Sequence, residues 1–230
     1  MLAQPESVGA IIAAAGRGRR FGESDKLFAP LAGRPLIAHT LMAFEVCRAI
    51  DRVVLVLAAD NLERGRRLVA AAGFDKVVAI CPGGPRRQDS VRLGLEALGK
   101  CRWVVVHDGA RPLVTAALIE AGLAAAAETG AAIAALPLAD TVKEVAAGGL
   151  VRQTLDRRNL WAAQTPQVFG YDLLQQAHRR AQGEATDDAA LVEALGQRVK
   201  VFPGSPRNLK VTTAADLALA AALLAEGGES

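Results

Sequence analysis

Residues 8–27 read Val-Gly-Ala-Ile-Ile-Ala-Ala-Ala-Gly-Arg-Gly-Arg-Arg-Phe-Gly-Glu-Ser-Asp-Lys-Leu. The segment opens with an apolar run that ends in three alanines, a pattern typical of a strand buried on both faces of a sheet. Gly16 then ends the run and begins a loop that also contains Gly18 and Gly22. The segment therefore predicts a buried β-strand that leads directly into a glycine-rich loop.

The loop is basic as well as rich in glycine. Glycines allow backbone N–H groups to converge on an anion, and guanidinium and ammonium groups supply the compensating charge. The loop lacks the Gly-Lys-Ser/Thr of a Walker motif, and it departs from the dinucleotide-binding fingerprint because Gly22 lies four positions after Gly18 instead of three. We interpret it as a nucleoside triphosphate site, and an arginine-rich connection between a strand and a helix remains the alternative. Its cationic residues are Arg17, Arg19, Arg20 and Lys26.

Further along the chain, apolar runs alternate with amphipathic stretches, which predicts an α/β fold with a doubly wound, mostly parallel sheet. Glycine-rich or polar loops follow the first, third and fourth predicted strands, and ligands of such sheets gather at the carboxyl ends of the strands. We predict strands over 53–58, 77–81, 103–106, 131–136 and 199–202. We predict helices over 60–72, 115–129, 171–181 and 187–195, the last capped by Thr186, and another after Ser90.

Two stretches depart from this alternation. Residues 139–158 resemble two strands around the Gly148-Gly149 turn, which predicts an antiparallel arm that leans on another subunit because it has little core of its own. Residues 156–167 are interpreted as a connection that returns the chain to the helix at Tyr171. The whole chain, 1–230, is predicted to be a single domain with this arm as a dimerisation subregion.

Composition restricts the function. Hydrophobic residues are 51% of the chain and charged residues 22%, as in ordinary globular proteins. The net charge of +3 suits a polyanionic small substrate, and with 4% aromatic residues and no recognised binding module we expect no nucleic-acid partner. The three cysteines are predicted to be reduced thiols. Without a basic leader or a membrane-length apolar run, we expect a cytoplasmic enzyme and no membrane partner.

The polar residues favour phosphoryl or nucleotidyl transfer. No Gly-x-Ser-x-Gly elbow and no adjacent cysteine and histidine are present, and His107 is the one histidine beside a loop of interest. Positive charge and glycine suit a reaction in which the protein positions reactants and stabilises charge. Asp108, at a strand end, is the candidate ligand for Mg²⁺. The alternative is that Asp108 caps a turn or pairs with Arg111.

Five motifs, in order and at compatible spacings, resemble the 2-C-methyl-D-erythritol 4-phosphate cytidylyltransferases of the non-mevalonate isoprenoid pathway. This resemblance covers nearly the whole chain. It implies a Rossmann-like nucleotidyltransferase fold, a homodimer with exchanged arms, and the use of CTP with Mg²⁺. The motifs are Ala14-Ala15-Gly16-x-Gly18-Arg-Arg20 with Lys26, Gly83-Gly84-x-x-Arg87-x-x-Ser90, His107-Asp108-Gly109-Ala-Arg111-Pro, Asp156-Arg157 with Trp161 and Gln164-Thr165-Pro166-Gln, and Asn208-Leu-Lys210-Val-Thr.

The resemblance also implies roles for individual residues. Those placed around the nucleotide are Ala14, Ala15, Gly16 and Gly18, with Gly84 and Ser90 reading the cytosine and Asp108 holding the metal. Those implied to stabilise the transition state are Arg20 and Lys26. Those implied to contact the sugar phosphate are Gly109, Arg111, Thr141, Arg157 and Lys210, of which Lys210 would grip both phosphates.

The reaction implied is in-line attack of the phosphate of 2-C-methyl-D-erythritol 4-phosphate on the α-phosphorus of CTP. The products would be 4-diphosphocytidyl-2-C-methyl-D-erythritol and pyrophosphate. A phosphate monoester, with a second pKa of about 6, is already largely anionic at neutral pH, so no general base is needed. The alternatives are a ribitol-5-phosphate cytidylyltransferase and a non-catalytic nucleotide sensor.

Several residue roles stay open at this point. Arg20 and Arg157 could be surface ion-pair partners. Ser90 could cap its helix as well as face the base. Pro85 follows Gly84 and has no N–H, so that backbone position cannot donate to the base. Lys210 is treated as a strand residue that points away from its two apolar neighbours, and the side that faces the site is not decided.

Overall fold

The computed structural model describes residues 7–16 and 26–227. Its strands have the following bounds: β1 (Val8–Ala14), β2 (Pro30–Leu31), β3 (Arg34–Pro35), β4 (Arg52–Leu57), β5 (Val77–Pro82), β6 (Trp103–Asp108), β7 (Ala131–Pro137), β8 (Lys143–Val145), β9 (Val151–Thr154), β10 (Trp161–Gly170) and β11 (Lys200–Pro203). Its α-helices are α1 (Leu36–Val46), α2 (Leu62–Ala72), α3 (Arg87–Leu98), α4 (Ala116–Thr129), α5 (Tyr171–Arg180), α6 (Asp188–Glu193) and α7 (Ala214–Gly227).

Seven strands form one mixed sheet in the order β11-β7-β10-β6-β1-β4-β5. Every pairing among β6, β1, β4 and β5 is parallel, as is the pairing of β11 with β7. The predicted α/β fold with a mostly parallel sheet is therefore confirmed.

β10 was not predicted. Residues 161–170 form the longest strand of the sheet and run antiparallel between β6 and β7, whereas the sequence indicated only a connection there. The register of β10 against β7 shifts between Ala163 and Gln167, and the Thr165–Pro166 peptide is cis. Gln and Pro interrupt the alternation that identifies strands, which is why the periodicity of this segment failed to predict one.

Helices cover both faces of the sheet. Alternate residues of β1 face opposite ways, so that Ala10 and Ile12 join a core with α1 and α4, while Ile11 joins a second core with α3 and α5. Both cores consist of side chains that are almost completely buried. The doubly wound arrangement leaves the carboxyl ends of the parallel strands as the open edge of the fold.

Three local expectations were wrong. The cap of α6 is Asp187, whose side chain accepts a hydrogen bond from Ala190 N, and Thr186 does not cap it. Lys210 lies in an irregular segment before α7, so strand alternation does not decide its direction. β6 continues past Val106 to Asp108, which places that carboxylate at the last position of the strand.

The arm is present as an antiparallel hairpin of β8 and β9, which pair with each other and not with the main sheet. Its side chains are mostly exposed, including Val145, Leu150 and Val151. None of the three cysteines of the chain is in a disulfide. Within residues 7–16 and 26–227, no helix combines the length and the apolar character needed to span a bilayer.

Candidate active site

A cavity of about 750 Å³ lies at the carboxyl ends of the parallel strands. The ends of β1, β4, β5 and β6 all contribute to its wall, through Ala14, Ala58, Gly83 and Asp108. The remaining described wall comes from the loop after β1, the start of α3 and the segment before α7. The cavity therefore occupies the position where open α/β sheets bind their ligands.

The first glycine-rich loop supplies one side of this cavity. Ala14, Ala15, Gly16 and Lys26 line it. The Lys26 ammonium donates to Val211 O at 3.1 Å, which ties the end of the loop to the segment before α7. Gly18 and Arg20 lie outside the described residues, so their predicted roles stay predictions.

The second glycine-rich loop lies beside the first at the cavity wall. Gly83, Gly84 and Ser90 line it. Ser90 is buried within α3 and is not its N-cap, and its hydroxyl accepts a hydrogen bond from Gly84 N at 3.1 Å and donates to Arg86 O at 3.2 Å. The Gly84 N–H is thus used inside the loop, where it fixes the loop's shape.

Asp108 is surrounded by cations. Its Oδ1 lies 3.3 Å from Arg87 Nε, and its Oδ2 lies 2.8 Å from Lys210 Nζ and 3.7 Å from Arg111 Nε. Burial alone would raise the pKa of Asp108, but the Arg87, Lys210 and Arg111 charges outweigh burial and hold this pKa well below its usual range. The pairing with Arg111 expected as an alternative is present, and Asp108 is a carboxylate at neutral pH.

Hydrogen bonds and close packing at Gly109 fix the backbone next to Asp108. Gly109 N donates to Ala13 O at 2.9 Å, and Gly109 O accepts from the Thr40 hydroxyl at 3.0 Å. A Cβ at Gly109 would come within 2.8 Å of Ala14 Cβ and Ile37 Cδ1, so a larger residue does not fit. Gly109 therefore packs beneath the nucleotide loop and not at the cavity surface.

Arg111 and His107 are also buried behind the cavity wall. Arg111 Nη1 donates to Asn208 O at 2.7 Å. His107 Nε2 lies 3.3 Å from Arg111 O, and burial lowers the pKa of His107 to about 4, so its ring is neutral at pH 7. His107 thus supports the turn after β6 and does not reach the cavity.

Thr141 and Arg157 lie away from this cavity. Both are exposed, Thr141 just before β8 and Arg157 in a short 3₁₀ helix just after β9. Neither lines the described wall of the cavity in the same subunit. The structure thus brings together Ala14, Ala15, Gly16, Lys26, Gly84, Ser90, Asp108 and Lys210, and leaves these two on the arm.

Two residues that contact Asp108, namely Arg87 and Thr165, received no role from the sequence. Arg87 lines the cavity and bridges Asp108 to the buried Asp188. It belongs to the motif Gly83-Gly84-x-x-Arg87-x-x-Ser90, but the sequence provided no reason to assign it a function. The Thr165 hydroxyl accepts a hydrogen bond from Asp108 N at 3.0 Å, a contact that exists only because β10 pairs with β6. The spacing of Arg87 from Gly84 was the one available signal.

The described residues provide few ligands for a metal ion. No group of three or more His, Cys, Asp or Glu side chains in the described part of the chain could hold a metal ion. Asp108 is the one carboxylate among the described residues that line the cavity, and both of its oxygens already face cations. This donor set fits a Mg²⁺ ion that is held mainly by substrate phosphates and water.

As a whole, the described wall of the site carries an excess of positive charge. In its described wall, Lys26, Arg86, Arg87 and Lys210 stand against a single acidic side chain. Small residues bring backbone close to the cavity on both sides, which suits a flat base and a ribose. The arrangement can bind a triphosphate and stabilise the charge that develops when phosphorus is attacked.

Comparison with known proteins agrees with this geometry. Residues 8–226 match the family model described as IspD: 2-C-methyl-D-erythritol 4-phosphate cytidylyltransferase. A protein of that name from Dehalococcoides mccartyi strain 195 is 52% identical over 222 residues, covering 96% of this chain and 98% of the relative.

Solved structures share the fold. A 4-diphosphocytidyl-2C-methyl-D-erythritol synthase from Anaerococcus prevotii superposes with a TM-score of 0.84 at 29% identity, over 95% of this chain and 98% of that one. A 2-C-methyl-D-erythritol 4-phosphate cytidylyltransferase from Thermus thermophilus gives a TM-score of 0.76 at 36% identity, over 94% and 97% of the two chains. The family match over nearly the whole chain, together with a cationic cavity at the strand ends, shows that this chain is a cytidylyltransferase of the 2-C-methyl-D-erythritol 4-phosphate cytidylyltransferase family.

Proposed function

We propose that this cytidylyltransferase transfers CMP from CTP to 2-C-methyl-D-erythritol 4-phosphate, giving 4-diphosphocytidyl-2-C-methyl-D-erythritol and pyrophosphate. The observation that carries the proposal is the 52% identity, over 96% of the chain, to a relative named for this sugar phosphate. The cationic cavity supports it, because both substrates are phosphate anions.

The chemistry proposed for the site needs no general base. The sugar phosphate is already anionic at neutral pH and attacks the α-phosphorus directly, while pyrophosphate leaves in line. Lys26 and Lys210 stand on the cavity wall, where their ammonium groups would neutralise the charge that develops on the phosphoryl oxygens. Arg20 is proposed to act with them, from a loop outside the described residues.

Binding of the nucleotide is proposed to use both glycine-rich loops. Ala14, Ala15, Gly16 and Gly18 would lie against the ribose and the phosphates, and Gly84 and Ser90 against the cytosine. Asp108 would supply at most one oxygen to a Mg²⁺ ion, whose charge would neutralise part of the negative charge of the substrate phosphates. Gly109 and Arg111 would shape the sugar phosphate pocket from beneath its surface.

The arm is proposed to complete the site across a homodimer. Val145, Leu150 and Val151 are 53%, 73% and 60% exposed on a two-stranded hairpin that forms a sheet of its own, apart from the main sheet. Such a hairpin is marginal by itself and gains stability when another surface covers it. Thr141 and Arg157, at the base of the arm, would then reach the sugar phosphate in the partner's cavity.

The experiment is pyrophosphate release by the purified protein with CTP and Mg²⁺, offering 2-C-methyl-D-erythritol 4-phosphate and ribitol 5-phosphate in parallel. Turnover with the first alone supports the proposal. Turnover with ribitol 5-phosphate alone would overturn the substrate assignment and leave the nucleotidyl transfer chemistry in place. Binding of CTP without turnover of either would favour a nucleotide sensor.

A further inference from the structure

A chain of charged groups runs from the protein interior to the cavity through Arg87. Its Nη1 lies 2.6 Å from Asp188 Oδ2, and its Nε lies 3.3 Å from Asp108 Oδ1. Behind Asp188, His178 Nε2 lies 3.1 Å from Asp188 Oδ1. One guanidinium thus connects α6 and α5, on one side, to the end of β6 on the other.

The inner end of this chain is a fixed anchor. The Asp188 side chain is fully buried, at 0% exposure, and belongs to the first turn of α6. An ionised carboxylate in such a place must be paired, and Arg87 and His178 are its partners. Asp188 therefore holds the Nη1 side of the guanidinium in one orientation.

The outer end acts on Asp108 from one side only. Arg87 contacts Oδ1, whereas Lys210 and Arg111 approach Oδ2. A guanidinium is planar and presents its N–H groups in a rigid fork, so fixing Nη1 also fixes the direction of Nε. Held in this way, the carboxylate keeps Oδ2 turned toward the Lys210 ammonium.

Lys210 depends on this arrangement because little else fixes it. Its side chain is 42% exposed, and it lies in an irregular segment instead of a helix or strand. A long, flexible side chain at such a position is ordered only through the group that it contacts. The position of its ammonium is therefore set by Asp108, and through Asp108 by Arg87.

The Arg87 guanidinium is not saturated by these contacts. Its Nη2 is buried and has no hydrogen-bond partner among the residues that the structure describes. Buried donors are rarely left unpaired, because an unpaired donor loses its hydrogen bonds to water and destabilises the fold. Neutralisation of Asp188 alone does not explain why this unfavourable arrangement is kept. Because Arg87 also lines the cavity, its contact with Asp108 acts on the site as well as on the buried Asp188.

We propose that Arg87 is a positioning residue for cytidylyl transfer, which is anchored by Asp188 and orients Asp108 so that Lys210 is held where the phosphates bind. This inference rests on the proposed function of the same site. Loss of Arg87 should lower kcat more than it raises KM for CTP, because the nucleotide loops remain intact. The expected loss is roughly 10- to 100-fold in kcat, the size that a small misplacement of a reacting group produces.

The first test separates positioning from structural pairing. Arg87→Gln leaves the buried Asp188 carboxylate without its arginine partner, so both the unfolding temperature and kcat should fall. The double variant Arg87→Gln/Asp188→Asn replaces the ion pair by two amides, so the unfolding temperature should recover while kcat stays low. Recovery of kcat together with stability would overturn the proposal.

The second test does not depend on that recovery. Arg87→Lys keeps the positive charge but cannot bridge two carboxylates through a fork, so kcat should fall although the protein folds. Arg92→Gln, on the exposed face of the same helix and paired with Glu96, is the matched control and should behave as the wild type. Wild-type kcat in folded Arg87→Lys would overturn the proposal.

A mutant cycle tests whether Arg87 acts through Lys210. If it does, Arg87→Lys combined with Lys210→Gln should be no slower than Lys210→Gln alone, because effects within one unit are not additive. Multiplicative losses would overturn this connection. All rates are measured with the sugar phosphate that the wild-type protein turns over, so failure of the proposed substrate appears in the wild type and failure of the Arg87 role appears only in the variants.

Discussion

Lys210 places its ammonium 2.8 Å from Asp108 Oδ2, joining the segment before α7 to the last residue of β6. The pair sits at the cavity wall, where both residues are accessible to a ligand. The contact keeps the Lys210 ammonium beside the space that the substrate phosphates would occupy.

Lys210→Gln should lower kcat by roughly 10²–10³-fold, the loss typical of removing one donor that stabilises a transition state. Stability should change by only about 1 kcal/mol, because the lysine side chain is 42% exposed and Arg87 and Arg111 still neutralise the buried Asp108 carboxylate. Steady-state kinetics and thermal unfolding measure the two effects. Lys200→Gln is the control, because Lys200 lies on the edge strand β11 and pairs with Glu128 of α4. Strong destabilisation with unchanged turnover would contradict the assignment.

Asp108→Asn should destabilise the protein far more than Lys210→Gln. It removes the anion that faces three cations in a site where the carboxylate is only 10% exposed. Removing one partner of a buried ion pair costs about 3–5 kcal/mol, because the remaining charge is left unpaired. Denaturant unfolding measures this loss. Asp172→Asn, at an exposed pair with Lys100, should cost little by comparison. Equal stability of the two variants would show that Asp108 is not held as described.

Gly83→Ala and Gly16→Ala should separate the fold from ligand binding. A Cβ at Gly83 would overlap Ala15 Cβ and lie 2.7 Å from Ser90 Oγ, so we expect destabilisation of about 1–3 kcal/mol. A Cβ at Gly16 meets no atom of residues 7–16 and 26–227 within 4 Å, so stability should be unchanged. Weaker CTP binding by a stable Gly16→Ala variant, measured by calorimetry, would support a nucleotide that lies against this glycine. Unchanged CTP affinity would argue against it.

Leu150→Lys combined with Val151→Lys should weaken the proposed homodimer. Both side chains are exposed on the arm, and burying a lysine at an apolar interface is costly. Sedimentation velocity should show a shift toward monomer, with a parallel loss of turnover if Thr141 and Arg157 act across the dimer. Val46→Lys, at an exposed position at the end of α1, is the control. A wild-type protein that is monomeric at micromolar concentration would contradict the exchanged arm.

Asp216→Asn should weaken the start of α7 in a pH-dependent way. Hydrogen bonds from the side chain and backbone of Thr212 and from Thr213 lower the pKa of Asp216 to about 2, whereas an unfolded aspartate has a pKa of about 3.9. Because the folded pKa is the lower one, the carboxylate contributes stability above about pH 4 that is lost as the pH falls toward about 2.

The loss in Asp216→Asn should be about 1 kcal/mol at neutral pH, as for other helix caps. Urea unfolding of both proteins at several pH values between about 3 and 7 measures it. The difference between wild type and variant should shrink toward the acid end. A difference that is constant with pH would show that Asp216 stabilises the helix by some means other than its charge.

Much of the fold could be predicted from the sequence because its signals are local. The apolar run of β1, the turn at Gly148-Gly149 and the amphipathic pattern of α2 each depend on neighbouring residues. β10 could not be predicted, because Gln164, Thr165 and Pro166 disrupt its alternation and its strand form comes from pairing with β6 and β7. The cap of α6 was misplaced by one residue, within the ordinary uncertainty of helix ends.

The sequence by itself determined the α/β class, the glycine-rich loops and the set of cations that a phosphate-binding site requires, since residue type and spacing decide these. Only the tertiary structure decided that Lys210 meets Asp108, that Arg87 links Asp108 to Asp188, and that Thr165 supports the same turn. These contacts join residues far apart in the chain. Their geometry depends on how α3, α6 and β10 pack around the end of β6, which no local pattern encodes.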